Sequence, residues 1–326
     1  MLGSETKIKD ILKGLNQSLL RNINYKFQLF GHEKNIKKYI EKYKRLLKSS
    51  EIIDCDSHIS MNDKPTEILK AKENSSMFLA IKSVKENFSD AVLSFGNTGA
   101  LMSLSLLNIK TLKYIKRPAI ASIWPNINGE SIVLDLGANT KLDSRYLIDN
   151  SILGSSLASI LFKIDKPSIG LLNVGIEDNK GKDEIKRASN MLKDLSKNSK
   201  INYYGYVEGN DISIGKTNVV VTDGFTGNIA LKTAEGTSNF IISELKKALS
   251  SSLIGKLSSL LNYNNLKKFK NKLDPRLYNG AILLGLDKPV IKSHGSTDSI
   301  GFANSLNVCE KIIRGNLIDQ IKKNIN

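Results

Sequence analysis

The residues best suited to chemistry lie in short polar loops that follow apolar, strand-like runs. One such loop, Asp223 to Asn228, comes after four β-branched residues and leads into a run of helical composition. Its Gly224 and Gly227 allow backbone conformations that other residues resist, so amide groups can converge at the start of the next helix. The loop therefore predicts an anion site. Taken alone, an ordinary strand-to-helix turn is the commoner explanation.

Two further loops repeat this plan. The first follows the strand-like run 90–95 and consists of Gly96, Asn97, Thr98 and Gly99. The second begins with Asp135 and contains Asn139; it either forms an Asx turn that caps the next helix or takes part in a site. Because parallel strands end at the same edge of a sheet, the Asp223 and Gly96 turns are expected to face one cleft.

Two other strand exits carry side chains that can bind or stabilise an anion. Lys180 lies in a charged loop after the run 168–173, where a lysine can reach phosphate as a point charge. Such loops are otherwise simply solvated. His294 and Ser296 follow a short apolar run, 289–292; a histidine that is hydrogen-bonded within its own loop is the alternative there.

Composition limits the class of protein. The 326 residues are 40% hydrophobic, enough for a large core in one α/β unit or two domains. No apolar run reaches the roughly 20 residues of a membrane-spanning helix, and the first ten residues lack the apolar stretch of a secretory signal, so a cytoplasmic protein is expected. Cys55 and Cys309 are too few for a disulfide framework or a zinc site, and both are expected to be reduced and structural.

The formal net charge of +16 favours an acidic partner: a carrier protein, an anionic lipid or a nucleic acid. Part of the lysine content is explained by a composition that is also rich in asparagine and isoleucine. A basic nucleic-acid-binding module remains an alternative, although no aromatic-rich basic motif supports it. Such a module would show binding that falls steeply with salt.

Strand-like and helix-like runs alternate throughout the chain, which predicts one doubly wound α/β fold over residues 1–326 with a mostly parallel sheet. The chain opens with a helix whose apolar residues are Ile8, Ile11, Leu12, Leu15 and Leu19. A strand at 25–30, a helix at 33–47 and a strand near 52–53 follow.

The pattern changes in residues 241–276, a basic amphipathic helical segment. Apolar residues recur there three or four positions apart, and lysines supply most of the charge. One explanation is a helix packed on the core or on a partner subunit. The other is a helix that lies in an anionic membrane surface. In the second case the residues expected at the membrane are Leu249, Leu253, Ile254, Lys256 and Leu257.

Five runs, in this order and spacing, resemble the acyl-acyl carrier protein:phosphate acyltransferase family: DAVLSFGNTGALMSL, VLDLGANT, GLLNVGIEDNKG, YVEGNDISIGKTNVVVTDGFTGNIALKTAEG and GAILLGLDKPVIKSHGSTD. The resemblance extends from about residue 64 to the C-terminus. It implies a three-layer fold similar to phosphotransacetylases and to the isocitrate and isopropylmalate dehydrogenases. It also implies transfer of a fatty acyl group from acyl carrier protein to inorganic phosphate, giving acyl phosphate for phospholipid synthesis.

The residue types suit that reaction. Phosphate is itself the nucleophile, so neither a catalytic cysteine nor a serine triad is required. Lys180, Asn228 and His294 are the candidates to stabilise the developing oxyanion. The remaining candidates to hold phosphate or substrate are Gly96, Asn97, Thr98, Gly99, Asp135, Asn139, Asp223, Gly224, Gly227 and Ser296. No cofactor or metal is expected; Asp135 could bind a metal, but the reaction does not require one.

The resemblance further implies a homodimer that associates peripherally with the membrane through the amphipathic segment before Leu273. Its partners would be acyl carrier protein, inorganic phosphate, anionic lipid and a downstream glycerol-3-phosphate acyltransferase, and not nucleic acid. The enzyme alternative is a phosphotransacetylase-like protein that acts on a small acyl-coenzyme A. A dehydrogenase is disfavoured because no G-x-G-x-x-G follows a strand with an acidic residue at the expected distance.

The N-terminus departs from the family pattern. The family begins with a strand and a Met-Gly-Gly-Asp-His-like turn, whereas only Met1 and Gly3 agree here, and Ser4 and Glu5 replace the acidic residue and the histidine. Because the chain enters on a helix, the first strand is expected to be absent and Met1 to be an internal methionine of a longer native protein. An intact native mass equal to that of this sequence would contradict the expectation.

Overall fold

The computed structural model describes residues 6–21, 24–63, 74–198 and 201–325. The expectations for Met1, Gly3, Ser4 and Glu5 concern residues outside these ranges. The first half of the chain contains α1 (Ile8–Arg21), β1 (Phe27–Gly31), α2 (Glu33–Ile40), α3 (Lys44–Lys48), β2 (Ser50–Asp54), α4 (Ser76–Lys85), β3 (Val92–Ser94), α5 (Thr98–Asn108), β4 (Ala119–Asn126), β5 (Gly129–Leu134) and α6 (Ser144–Phe162).

The second half contains β6 (Ser168–Leu172), α7 (Asp183–Lys197), β7 (Asn202–Val207), α8 (Gly209–Ile214), β8 (Val219–Val221), α9 (Gly224–Ser250), α10 (Leu253–Leu261), α11 (Tyr263–Leu273), a 3₁₀ turn (Pro275–Tyr278), β9 (Ala281–Leu284), β10 (Val290–Lys292), α12 (Ser299–Arg314) and α13 (Leu317–Ile325). The alternation predicted from the sequence is confirmed, except that the helix predicted over 33–47 is two shorter helices.

Eight strands form one sheet in the order β3-β10-β9-β4-β5-β8-β6-β7. The pairs β3–β10, β5–β8, β8–β6 and β6–β7 are parallel. The α/β fold with a mostly parallel sheet is therefore confirmed. Strands β9 and β4 are antiparallel to their neighbours, and β4 and β5 form a hairpin. As a result, β3 and β10 run opposite to β5, β8 and β6.

Helices cover both faces of the sheet, which gives the three layers. Residues alternate between the faces along each strand; Val219 and Val221 face the cluster under α6, α7, α12 and α13, whereas Val220 faces α8 and the start of α9. On that second face, α4 and α5 cover β3, β10 and β9. The predicted apolar face of α1 is buried against β1, α2 and Phe302 of α12.

A groove of about 800 Å³ separates β1 from β3. Strands β1 and β2 form a parallel pair outside the large sheet, and Phe27, Leu29, Val92 and Phe95 line the groove from its two sides. Within the described ranges, β1 pairs only with β2 and β3 only with β10.

Helix α9 continues without interruption from the Asp223 loop into the amphipathic segment. It has 27 residues and ends at Ser250. Two shorter helices, α10 and α11, complete the segment, and neither contains a buried residue. The segment predicted to begin at residue 241 therefore starts within the far half of the helix that carries Asn228 near its beginning. Below, α10 and α11 are called the helical hairpin.

Helix α9 also approaches the end of β5 very closely, and its first glycines permit this approach. A Cβ atom added at Gly227 would lie 1.9 Å from the backbone oxygen of Asp135. A Cβ at Gly224 would lie 2.7 Å from a carboxylate oxygen of Asp135 and equally close to the backbone oxygen of Asn139. Close packing, and not an unusual backbone conformation, therefore requires these two glycines.

Two alanine variants of α9 test this packing. We expect Gly227→Ala to lower the free energy of unfolding by about 1–3 kcal/mol, because the added methyl overlaps the backbone of Asp135. Gly236→Ala is the matched control, since nothing lies within 4 Å of its Cβ position and alanine favours a helix interior by about 0.5–1 kcal/mol. Urea unfolding of both variants measures the difference; equal shifts would contradict the packing argument.

Candidate active site

The topology separates the predicted site residues into two groups. The first, called the β5–β8 cluster, contains Asp135, Asn139, Asp223, Gly224, Gly227 and Asn228. The second, called the β3–β10 cluster, contains Gly96, Asn97, Thr98, Gly99, His294 and Ser296. Because β3 and β10 run opposite to β5 and β8, the expectation of one shared row of strand ends is wrong. Lys180 belongs with the first group, since β6 is parallel to β8 and adjacent to it.

A buried carboxylate organises the β5–β8 cluster. Asp135 is 0% exposed. One of its oxygens accepts hydrogen bonds from the backbone amides of Ile120, Gly137 and Ala138, at 2.8–3.1 Å. The other accepts from the Asn139 amide at 2.7 Å and from the Tyr146 hydroxyl at 2.9 Å. With five donors, this carboxylate has no lone pair directed at solvent, and it fixes the loop at the end of β5.

Tyr146 connects this loop to α6. Burial, followed by the charge of Asp135, raises the pKa of the Tyr146 hydroxyl above its ordinary value, so the hydroxyl remains a donor at neutral pH. It also accepts a hydrogen bond from the side-chain amide of Asn139 at 2.7 Å. The same Asn139 amide donates to the Pro118 carbonyl at 2.8 Å. Asn139 therefore holds the loop in shape with a half-buried side chain.

The amide groups at the start of α9 are already bonded within the protein. Asp223 caps the helix: its carboxylate accepts from the amides of Phe225 and Thr226 at 3.0 Å. The Gly224 amide donates to the Asn139 carbonyl at 2.8 Å, and the Gly227 amide donates to the Asp223 carbonyl. The amides that were expected from the sequence to bind an anion therefore bond within the protein and hold the first turn of α9 together.

Asn228, the fifth residue of α9, presents a polar side chain to solvent. It is exposed, and its amide nitrogen donates to the Leu136 carbonyl at 3.2 Å. The same nitrogen would lie 3.0 Å from a Cβ at Gly137, whose φ is +132°. This contact orients the amide across the end of β5, and its second N–H can serve a ligand.

Asn173 shapes the loop that carries Lys180. Its side-chain amide donates to the carbonyls of Gly175 and Lys180 at 3.0 and 3.2 Å. Gly181 has a φ of +85°, and a Cβ there would lie 1.9 Å from the Asn173 side-chain oxygen. Lys180 is exposed and makes no ion pair with the residues that the structure describes. Its ammonium group is therefore available to an anion at this edge of the sheet.

Asn97 has a structural position in the β3–β10 cluster. Its side-chain oxygen caps α5 by accepting from the Ala100 amide at 3.0 Å. Its side-chain nitrogen donates to the carbonyls of Met61 and Asp63 at 2.9 and 3.2 Å. The side chain predicted to hold phosphate is therefore already used in this cap and in hydrogen bonds to the loop 60–63.

His294 and Ser296 lie together on an exposed turn. The Ser296 hydroxyl is 3.1 Å from His294 Nδ1, and the Ser296 amide donates to the same ring nitrogen at 3.3 Å. The His294 backbone amide donates to the side-chain oxygen of Asn279 at 2.9 Å. The histidine predicted as catalytic therefore lies at the opposite strand ends from Lys180 and Asn228.

Sequence reasoning missed Asn279. Its side-chain nitrogen donates to the hydroxyls of Ser293 and Thr297 and to the Gly301 carbonyl, at 2.8–3.1 Å. Together with the bond from the His294 amide, these contacts brace the whole turn. The residue follows the LDPR segment, which was interpreted only as the boundary of the amphipathic region, so the sequence carried no signal for this contact.

Arg276 is bonded between two acidic residues beside this turn. Its guanidinium donates to Asp274 and, at 2.5 Å, to Asp298, which caps α12. The hydrogen bond from Arg276 lowers the pKa of Asp274. Burial opposes ionisation of Asp298, but the bonds from the Gly301 amide and Arg276 keep its pKa below the ordinary value. These interactions connect the end of the amphipathic segment to α12.

Lys292 is a second residue that sequence reasoning missed. It is the last residue of β10 and is half-buried, and burial lowers the pKa of its ammonium group to about 8. A lysine at the end of an apolar strand run gave no separate signal.

Over the described ranges, no group of three or more histidine, cysteine or acidic side chains is arranged to hold a metal ion.

Comparison with solved structures shows the fold. A phosphotransacetylase from Streptococcus pyogenes matches with a TM-score of 0.61 and 15% identity, over 95% of this chain and 99% of that chain. The EutD phosphotransacetylase from Staphylococcus aureus matches with a TM-score of 0.57 and 14% identity, over 94% of this chain and 99% of that chain. At these identities the similarity shows a shared architecture.

Comparison of sequences shows the family. The model of a family described as "Fatty acid synthesis protein" matches residues 1–320. A phosphate acyltransferase of Pelagibacter ubique is 51% identical over 324 residues, which is 99% of this chain and 96% of that protein. A phosphate acyltransferase of Azorhizobium caulinodans is 44% identical over 99% of this chain and 91% of that protein. The chain therefore belongs to the phosphate acyltransferase family of fatty acid synthesis proteins.

Proposed function

We propose that this protein transfers a fatty acyl group from the thioester of acyl carrier protein to inorganic phosphate. The observation that carries the proposal is 51% identity to a phosphate acyltransferase across almost the whole of both chains. The product, acyl phosphate, would be consumed by a glycerol-3-phosphate acyltransferase in phospholipid synthesis.

The reaction needs a positioned anion and donors for an oxyanion. A phosphate oxygen attacks the thioester carbonyl carbon, so a C–O bond forms while the carbonyl oxygen gains negative charge. The C–S bond then breaks, and the thiol leaves with the electron pair. Its pKa, about 8.5 for an ordinary thiol, makes it a good leaving group with little acid assistance. Orientation of the two reactants and electrostatic stabilisation therefore supply most of the catalysis.

Lys180 and Asn228 are the best-supported donors for that oxyanion. Both side chains are exposed, both loops are fixed by buried hydrogen bonds, and both follow adjacent parallel strands. A fixed donor loses little energy in reorganisation when charge develops. In this proposal Asp135 and Asn139 are positioning residues, because their polar atoms are already used to shape the loop.

The acyl donor is proposed to be a carrier protein because the basic net charge favours an acidic partner. The net charge of +16 gives long-range attraction to an acidic protein, which raises the rate of encounter. In the alternative, an enzyme that acts on a small acyl-coenzyme A would not need a lipid-binding segment such as the helical hairpin. The phosphotransacetylase neighbours share the architecture at 14–15% identity, which supports the fold and not the substrate.

The helical hairpin is proposed to lie on an anionic membrane surface. Within the described ranges, no helix is long and apolar enough to cross a bilayer. On α10, Leu253, Ile254 and Leu257 are 84, 79 and 60% exposed, and Leu260 and Leu261 extend the same face. Lys256 is exposed between them, and α11 adds further lysines. Leucines in the acyl boundary and lysines on headgroups suit this arrangement. Leu249, also predicted at the membrane, is half-buried.

A homodimer is the other proposed use of exposed apolar surface. Phe240 and Ile241 on the far half of α9 are 65 and 43% exposed. A cytoplasmic, peripherally associated dimer would combine both surfaces, with the hairpins directed at the membrane.

The first prediction concerns acyl transfer. We expect phosphate-dependent loss of palmitoyl-acyl carrier protein, and Asn228→Ala or Lys180→Ala to lower kcat by about 10²–10³-fold, as removal of an oxyanion donor does. Acyl phosphate formation at saturating phosphate is the measurement, with acetyl-coenzyme A as a parallel substrate.

Two variants serve as matched controls in that assay. Lys182→Ala removes a positive charge from the same loop as Lys180, and Asn239→Ala removes an exposed amide from the same helix as Asn228. Both are expected to retain wild-type kcat. Faster turnover of acetyl-coenzyme A than of the carrier thioester would favour the phosphotransacetylase-like alternative.

The second prediction concerns the helical hairpin. Changing Leu253, Ile254 and Leu257 to serine should weaken binding to vesicles of phosphatidylglycerol at least about tenfold, because each side chain contributes on the order of 1 kcal/mol at the interface. Co-sedimentation measures the effect. Phe88→Ser is the control, since Phe88 is 72% exposed but lies outside the hairpin. Unchanged vesicle binding, together with loss of the dimer in light scattering, would assign the leucines to a subunit interface instead.

A further inference from the structure

The loop that joins α5 to β4 carries no negative charge. Residues 91–129 contain neither aspartate nor glutamate, whereas Lys110, Lys113, Lys116 and Arg117 follow one another closely in this loop. Lys113, Lys116 and Arg117 are exposed. Like charges held this close repel one another, so the loop is electrostatically suited to an acidic partner.

Buried residues of the same loop hold its backbone in place. Leu112 and Ile115 are 3 and 4% exposed and pack in the cluster under α6. The Leu112 amide donates to the Gly285 carbonyl at 2.9 Å, and the Ile115 amide donates to the Leu112 carbonyl at 3.0 Å. The basic side chains therefore extend from a fixed backbone, and a partner would not have to order this loop when it binds.

The start of α6 adds two basic side chains to this surface. Lys141 is exposed just before the helix, and Arg145 forms an ion pair with Asp149 at 2.9 Å. Burial raises the pKa of the Asp149 carboxyl to about 6, and the charges of Arg145 and Lys116 oppose that rise. Arg145 and Lys116 therefore act on one carboxylate from two different elements. Below, the basic patch means Lys113, Lys116, Arg117, Lys141 and Arg145.

A hydrogen bond between the two loops brings the parts of the basic patch together. The Asn139 side-chain amide donates to the Pro118 carbonyl at 2.8 Å. Arg117 directly precedes Pro118, and Lys141 is two residues after Asn139. The two segments that carry the patch therefore meet at this hydrogen bond.

The same asparagine connects the basic patch to the β5–β8 cluster. The Asn139 carbonyl accepts a hydrogen bond from the Gly224 amide at 2.8 Å. Asn228 lies about one helical turn farther along α9. An acyl donor held on the basic patch would therefore lie beside the side chain that is proposed to bind its thioester oxygen.

The acidic residues around the basic patch are already used within the protein. Asp143 caps α6 by accepting from two backbone amides, at 2.9 and 3.2 Å. Asp149 is buried and paired with Arg145, and Asp135 is buried among its five donors. The other four members of the patch form no ion pair with any residue that the structure describes. The positive charge of the patch therefore exceeds the negative charge around it.

We propose that the basic patch is the docking surface for the acidic acyl carrier protein. This inference rests on the proposed function and adds the surface on which its acyl donor is held. Charge complementarity favours a protein over a lipid here. Leu112 and Ile115 are buried, so the loop between α5 and β4 has no exposed leucine or isoleucine to enter a bilayer, whereas the helical hairpin has exposed leucines beside its lysines.

Binding of the carrier protein without an acyl group tests the docking surface apart from catalysis. We expect Lys116→Glu combined with Arg117→Glu to raise the Kd for holo-acyl carrier protein about tenfold, because two attractive charges become repulsive. Lys34→Glu combined with Lys38→Glu is the matched control, since both lysines are exposed on α2 and the change in net charge is the same. Calorimetry measures the Kd. An unchanged Kd in the patch variant, or an equal rise in the control, would overturn the proposal.

The salt dependence gives a readout that local damage to the fold would not move. Wild-type affinity for the carrier protein should fall as the ionic strength rises from about 0.05 to 0.5 M, and the affinity of the double patch variant should fall less steeply. Lys113→Glu and Lys141→Glu, on either side of the double variant, should each show a smaller change of the same kind. Parallel salt profiles in wild type and all three variants would contradict docking through these charges.

Steady-state kinetics with two acyl donors separates docking from chemistry. The double patch variant should raise the KM for palmitoyl-acyl carrier protein about tenfold, in line with its Kd. Its KM for S-palmitoyl pantetheine, a donor without the acidic protein, and its KM for phosphate should not change. An equal rise for both donors would overturn the proposal, as would weaker binding to phosphatidylglycerol vesicles or to DNA with an unchanged Kd for the carrier protein.

The two experiments also distinguish this inference from the proposed function. Carrier binding that depends on the basic patch, in a protein without acyl transfer, would leave the docking surface standing and reject the proposed function. Acyl transfer by the double patch variant with a wild-type KM for the carrier thioester would support the proposed function and reject the docking surface.

Discussion

The buried carboxylate of Asp135 holds together the end of β5, the start of α9 and the first turns of α6. Its charge is tolerated in the interior because five donors surround it, three of them backbone amides of the loop that it shapes. Removal of a donor would leave this buried charge with fewer compensating hydrogen bonds, which is more unfavourable than the loss of an exposed hydrogen bond. The position of the exposed Asn228 side chain depends on this arrangement, because Gly227 of the same helix packs against the backbone of Asp135.

A related constraint governs four helix starts around the candidate site. Asn97, Asp143, Asp223 and Asp298 each cap the helix that follows with their own side chains. Such caps stabilise a helix by about 1 kcal/mol, and they consume the N–H groups that a bound anion would use. In these strand-loop-helix units the capping side chains mainly fix the loops. Ligand binding is therefore left to side chains that project beyond the caps.

Much of this arrangement could be predicted from the sequence. The β-branched run before Asp223 and the apolar spacing of α1 predicted the correct elements, because local composition decides them. The direction of β3 and β10 could not be predicted: it depends on β9 and β4, whose antiparallel pairing is a tertiary property. Asn279 and Lys292 were missed for the same reason. Their partners lie on β3, β10 and α12, and no spacing along the chain brings these elements together.

Helix α9 has one end in the β5–β8 cluster and the other in the hairpin. At 1.5 Å per residue its 27 residues make a rod of about 40 Å without a break. The helix therefore fixes the distance between Asn228 and the helical hairpin, so the hairpin and the loop at the end of β5 are coupled through one continuous element.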